Sequence, residues 1–61
     1  MEKYLSTKDV ANVMGMSKNT AYKFIRLQGF PKIKIGKRYF VPESKLEEYL
    51  QKHVGTKIII D

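Results

Sequence analysis

The spacing of apolar positions along the chain changes from helical to alternating and back to helical. Val10, Ala11 and Met14 form one stripe at helical spacing, with Lys8 and Asn12 turned away from it. Ser6 or Thr7 is placed to cap the first free N–H groups of that helix, and Asp9, three residues after Ser6, brings the pattern close to a capping box. Leu5 precedes the cap as a hydrophobic staple, Gly15 ends the helix, and Met16 follows as a buried plug. Ser17 then caps a second helix that the pattern carries to about Gln28, where Gly29 stops it. A short connection containing glycine forces the two helices to cross steeply and projects the second one outward.

Past Phe30-Pro31 the period becomes two, and Lys32 to Val41 (KIKIGKRYFV) reads as a β-hairpin turning at Gly36. A two-residue Gly36-Lys37 loop pairs Ile33 with Phe40 but sets Arg38 on the face that carries Ile33 and Ile35. A three-residue Gly36-Lys37-Arg38 loop pairs Ile35 with Tyr39 and Ile33 with Val41. It gathers four apolar side chains on one face and leaves Lys34 and Phe40 on the other, so it is the register the pattern favours. Lys37 and Arg38 then occupy the hairpin tip. Pro42 ends the strand, and Glu43 to about His53 forms a third helix that closes the core with Leu46, Tyr49, Leu50 and His53. His53 reads as a partly buried or capping residue. Thr56 to Ile60 has a strand composition and is open to three fates: a third strand on the hairpin, a strand paired with a neighbouring molecule, or a frayed end. The chain therefore divides into a domain over 1–55 and a β-prone tail over 56–61.

Composition narrows the function. A chain of 61 residues holds one domain, and without cysteine it has neither a disulfide framework nor a thiolate metal site. One histidine leaves no second imidazole for a metal, and no paired carboxylates, activated nucleophile or glycine-rich phosphate loop points to an enzyme. No apolar run approaches the roughly 20 residues that cross a bilayer, and no signal peptide opens the chain. The reading is a soluble, cytoplasmic protein without cofactor. Twelve Lys and Arg against six Asp and Glu give a formal charge of +6, which favours a polyanionic partner. The signs are segregated, because Lys18 to Arg38 contains seven basic residues and no acid, whereas Glu43 to Glu48 contains three acids and one lysine. The acidic outer face of the third helix, Glu43, Glu47 and Glu48, should lie away from such a partner.

At about 100° per residue the second helix puts Ala21, Phe24 and Ile25 on the core side and Asn19, Lys23 and Arg26 opposite. Lys18 and Tyr22 flank that polar face, and Ser17 and Thr20 sit in the first turn, where N–H groups and the helix dipole favour a phosphate. Asn pairs bidentately with adenine and Arg with guanine, while Lys, Ser, Thr and Tyr reach phosphates. The set has the composition of a groove-reading helix, and an ordinary solvated helix face is the bland alternative. Lys37 and Arg38 at the tip, with Lys34 beside them on the hairpin, form a basic wing of the kind that touches the flanking backbone or the minor groove.

Residues 4–50 also resemble a known family. Tyr4-Leu5-Ser6-Thr7, Val10-Ala11, the Met14-Gly15-Met16-Ser17 turn, Thr20-Ala21-Tyr22-Lys23, Phe30-Pro31, Ile35-Gly36 and Ser44 to Leu50 are similar to the excisionase-type small winged helix-turn-helix domains, relatives of the DNA-binding half of MerR regulators. The resemblance implies an α+β, mostly helical fold of three helices with a β-hairpin wing. It maps DNA contacts onto Ser17, Lys18, Asn19, Thr20, Tyr22, Lys23 and Arg26 in the helix and onto Lys37 and Arg38 in the wing. Ala21 departs from it, standing where a larger aliphatic is common, as does Pro42, where a basic residue is usual.

Members of that family serve either as excisionases, which bend DNA beside an attachment site and bias an integrase toward excision, or as small transcriptional regulators of mobile elements. The implied partners are double-stranded DNA, an integrase or recombinase and further copies binding cooperatively. Because the chain stops at Asp61, where MerR regulators continue into a dimerisation helix and effector domain, no small-molecule effector is expected. A protein-interaction adaptor and an RNA binder are the competing classes.

Overall fold

The computed structural model describes residues 1–60. Strand β1 (Tyr4–Ser6) leads directly into helix α1 (Thr7–Met14), followed by α2 (Lys18–Ile25), β2 (Ile33–Ile35), β3 (Arg38–Pro42) and α3 (Glu43–Lys52). The three strands form one antiparallel sheet in the order β1-β3-β2. This is the α+β winged helix-turn-helix that the sequence implies, with one strand more.

The start of α1 follows its local signals. Ser6 is the N-cap, its hydroxyl accepting from the Asp9 N–H at 3.2 Å while the Asp9 carboxylate accepts from the Ser6 N–H at 3.1 Å, a full capping box. Gly15 ends the helix in the left-handed region, at φ 68°. Its N–H reaches the Asn12 carbonyl at 3.3 Å and the Met16 N–H reaches that of Ala11 at 3.0 Å, the two bonds of a Schellman motif. Met16 is half-buried against the core rather than enclosed in it.

Helix α2 stops earlier than its pattern suggests. It ends at Ile25 with Arg26 as C-cap, and residues 26–29 form turns that send Phe30 back inward. The cause is packing: Phe30 meets the Phe24 ring at 4.7 Å and the Tyr49 ring at 4.8 Å, both edge-on, and a helix running to Gln28 would carry it away from both. Gly29, at φ 84°, supplies the reversal.

The sheet differs most from the sequence reading. The hairpin loop has two residues, with Ile33 opposite Phe40, Lys34 opposite Tyr39 and Ile35 opposite Arg38. Gly36, at φ 62°, takes the first loop position, where a two-residue turn of the II′ type places glycine. The one-residue shift turns every β2 side chain over, so Ile33 and Ile35 are 41% and 62% exposed on the outer face instead of buried. The inner face of the sheet is filled without them. Leu5 of β1 lies opposite Val41 of β3 and both are fully buried, with Tyr39 nearly buried on the same face. The third strand thus comes from the N-terminus, not from the tail. Residues 57–60 form no strand; Ile58 and Ile60 pack against the core while Ile59 is exposed, and Asp61 lies outside the described residues.

The remaining core residues are Val10, Ala11, Ala21, Phe24, Ile25, Phe30 and Leu46, so the helical stripes face inward as their spacing requires. Helix α3 has Pro42 as N-cap, with no side-chain cap of its own. Its first N–H groups are satisfied from the N-terminus: Glu43 N–H donates to the Lys3 carbonyl at 2.9 Å, and Ser44 N–H to Oε2 of Glu2 at 2.9 Å. His53 closes the other end as C-cap, its Nδ1 donating to the Tyr49 carbonyl at 2.8 Å.

Candidate nucleic-acid interface

Helix α1, helix α2 and the wing meet at one open cleft of about 570 Å³. Ser6, Thr7 and Lys8 enter from the start of α1, Lys18, Asn19 and Tyr22 from α2, and Lys37, Arg38 and Tyr39 from the wing. Four of these side chains are cationic and none is a carboxylate, so the cleft concentrates positive potential. Asp9, close by in sequence, is turned into the capping box, and the Ser6 N–H bonded to it holds its carboxyl below the ordinary aspartate value. Helix α3 contributes nothing to the lining, which leaves Glu43, Glu47 and Glu48 away from it.

The ten residues singled out from the sequence divide by geometry. Lys18, Asn19, Tyr22, Lys37 and Arg38 line the cleft. Ser17 and Thr20 do not line it; they form the cap of α2. Ser17 Oγ accepts from the Thr20 N–H at 3.2 Å and donates to Thr20 Oγ1 at 2.9 Å, which leaves the Thr20 hydroxyl hydrogen free to donate outward. Lys23 is exposed and does not line the cleft. Arg26 and Lys34 do not line it either, but each lies over a tyrosine that does. The Arg26 guanidinium carbon is 5.5 Å from the centre of the Tyr22 ring, and Lys34 Nζ is 5.5 Å from that of Tyr39. The two rings meet at 5.6 Å and 59°. At exposed sites each cation–ring contact is worth about 0.5–1 kcal/mol, enough to bias the position of a long side chain. Arg38 faces partly outward, its guanidinium carbon 5.4 Å from the centre of the Phe40 ring.

Ser6, Thr7, Lys8 and Tyr39 are the lining residues that sequence reasoning missed, Ser6 having been read only as a helix cap. Lys8 faces away from the apolar stripe of α1, as its spacing requires, but the crossing of the helices decides what that side overlooks. Tyr39 falls on the apolar face of the hairpin in the sequence pattern, and in the structure it is nearly buried with one edge on the cleft. Lys32, by contrast, donates from Nζ to the Leu27 carbonyl at 3.1 Å and holds the turn after α2. Among the described residues no group of three or more His, Asp and Glu gathers as metal ligands would, and no helix is long and apolar enough to cross a membrane.

Two helices joined by a glycine turn, with a basic hairpin beside the second, define a winged helix-turn-helix protein. The family model described as a helix-turn-helix domain matches residues 4–54, and the chain belongs to that family, which includes excisionase-like small proteins. Membership implies sequence-specific binding of double-stranded DNA. No curated protein and no solved structure matches the chain.

Proposed function

We propose that the protein reads double-stranded DNA with α2 in the major groove and the wing on the flanking backbone or minor groove, and that it serves as an excisionase, the directionality factor of a mobile element. The observation that carries the first half is the cleft itself: α1, α2 and the wing offer Lys8, Lys18, Lys37 and Arg38 to one space without a single carboxylate. Asn19 and Arg26 are assigned to base edges. Ser17, Thr20, Tyr22, Lys23 and Lys34, together with the cleft lysines and Arg38, are assigned to phosphates.

The resemblance to excisionase-type domains and the size of the interface support the second half. A single module covers about 600–1,000 Å² of protein surface, too little for high affinity alone, so binding draws on adjacent copies or a partner integrase. A grip on two grooves is also the geometry of a protein that holds DNA bent.

The test is an anisotropy titration against duplexes tiled across the gene's own neighbourhood, any attachment site included, beside a shuffled duplex at two salt concentrations. Salt-sensitive preference for direct repeats next to an integrase crossover supports the excisionase. Preference for a promoter replaces it with a transcriptional regulator. Failure to bind any duplex at moderate salt moves the reading to a protein-interaction adaptor, whose affinity would not follow the slope of about −0.9 per phosphate contact.

A further inference from the structure

We propose that Tyr39 is a positioning residue for DNA binding: with Tyr22 it forms a strut that sets the wing against the recognition helix and holds Lys34 and Arg26 ready at its two ends. The inference rests on the DNA-binding reading of the same cleft.

Helix α2 packs mainly on α1, and the wing strand β2, exposed along its length, packs on β3, so helix and wing share little direct packing. Of the ring contacts among the described residues, Tyr22–Tyr39 is the one that joins α2 to the sheet; the others link Phe24, Phe30, Tyr49 and His53. Tyr39 is only 9% exposed and fixed by β3, whereas Tyr22 is 41% exposed. A rigid ring therefore rises from the sheet to meet a ring standing on the helix. Arg26 lies over the outer ring and Lys34 over the inner one, each at 5.5 Å. The result is one continuous row, cation, ring, ring, cation, that spans from the end of α2 to the wing.

A long cationic side chain loses rotamer freedom when it engages a phosphate or a base, and an aromatic face beneath it removes part of that loss in advance. The two-residue hairpin loop is what makes this possible. In the three-residue register Lys34 would sit on the face opposite Tyr39, and the row would be broken. The same shift that exposes Ile33 and Ile35 brings Lys34 onto the side of the recognition helix.

The experiment is a double-mutant cycle on the full chain, with Tyr39→Leu and Lys34→Ala, read by anisotropy on the tightest duplex of the tiled set over a salt series. Tyr39→Leu is expected to weaken binding about tenfold and to make the log–log salt slope shallower by about one contact. The double variant should fall short of the product of the single effects by at least about threefold. Tyr39→Phe, which keeps the ring, should restore both affinity and slope. If Tyr39→Leu fails to give a cooperative thermal melt, Tyr22→Leu on the exposed ring takes its place in the cycle, and coupling to Lys34, two rings away, is the expected result. Additive effects with an unchanged slope would overturn the strut while leaving DNA binding intact. No binding by the wild-type chain would overturn the DNA reading and the strut with it.

Discussion

Glu2 and Ser44 are joined across 42 positions: Oε1 of Glu2 accepts from the Ser44 hydroxyl at 2.7 Å and Oε2 from the Ser44 N–H at 2.9 Å. The N-terminal segment thereby caps a helix that has no side-chain cap of its own, and the negative charge sits at the positive end of the α3 dipole.

The Ser44 N–H, more than any other group, holds the Glu2 carboxyl below the ordinary glutamate value. A carboxylate with a depressed folded-state value contributes stability that is present above its unfolded value and disappears as the pH falls through the folded one. Asp9 in the α1 capping box behaves the same way. Glu2→Gln should therefore lower the thermal midpoint at neutral pH and flatten its decline on acidification. Circular dichroism melts from neutral pH down through the carboxylate range check this; a variant that melts and titrates like the wild type would mean the cap contributes nothing.

The register of the sheet makes opposite demands on two similar side chains. Leu5→Ala removes a fully buried side chain opposite Val41 and should cost about 2–5 kcal/mol, whereas Ile35→Ser on the exposed outer face should stay within about 0.5 kcal/mol. Urea denaturation of the two variants separates the observed pairing from the three-residue loop, which would bury Ile35 and make its replacement costly as well.

For Asn19 and Arg26 the expectation is a loss of discrimination. Replacing either by alanine should reduce the preference for the specific duplex over a shuffled one by about 1–3 kcal/mol. Equal weakening on both duplexes would remove them from the base-reading set.

Lys37→Ala combined with Arg38→Ala should weaken binding to every duplex and reduce the salt slope by about two contacts. An unchanged slope would show that the wing tip does not reach the phosphates, and it would leave the cleft to α1 and α2 alone.

Lys8→Ala belongs to the same measurement. Its place on the cleft predicts a slope lower by about one, with discrimination between sequences preserved. Loss of discrimination would mean that α1 touches bases.

What the sequence by itself determined is whatever depends on neighbours along the chain. The Ser6 and Ser17 caps, the Gly15 turn, the inward stripes of Val10, Ala11, Ala21, Phe24 and Ile25, and the cationic run on α2 and the wing all rest on contacts three or four residues apart. Such short-range rules carry their own free energy and survive in the folded protein. Tertiary structure decided the rest. Tyr4–Ser6 is too short for an alternating signal and becomes a strand because Leu5 fills the space opposite Val41. Once that face was filled, Ile33 and Ile35 had no core to enter, and the tight Gly36 turn set β2 in the register that places Lys34 over Tyr39. Phe30 cut α2 short to reach Tyr49, Glu2 crossed the chain to cap α3, and the crossing of α1 over α2 brought Thr7 and Lys8 to the cleft. Apart from the hairpin itself, whose register follows from the face that Leu5 fills, these are contacts between residues far apart in sequence, where side chains compete for the same volume and only the assembled core selects the occupant.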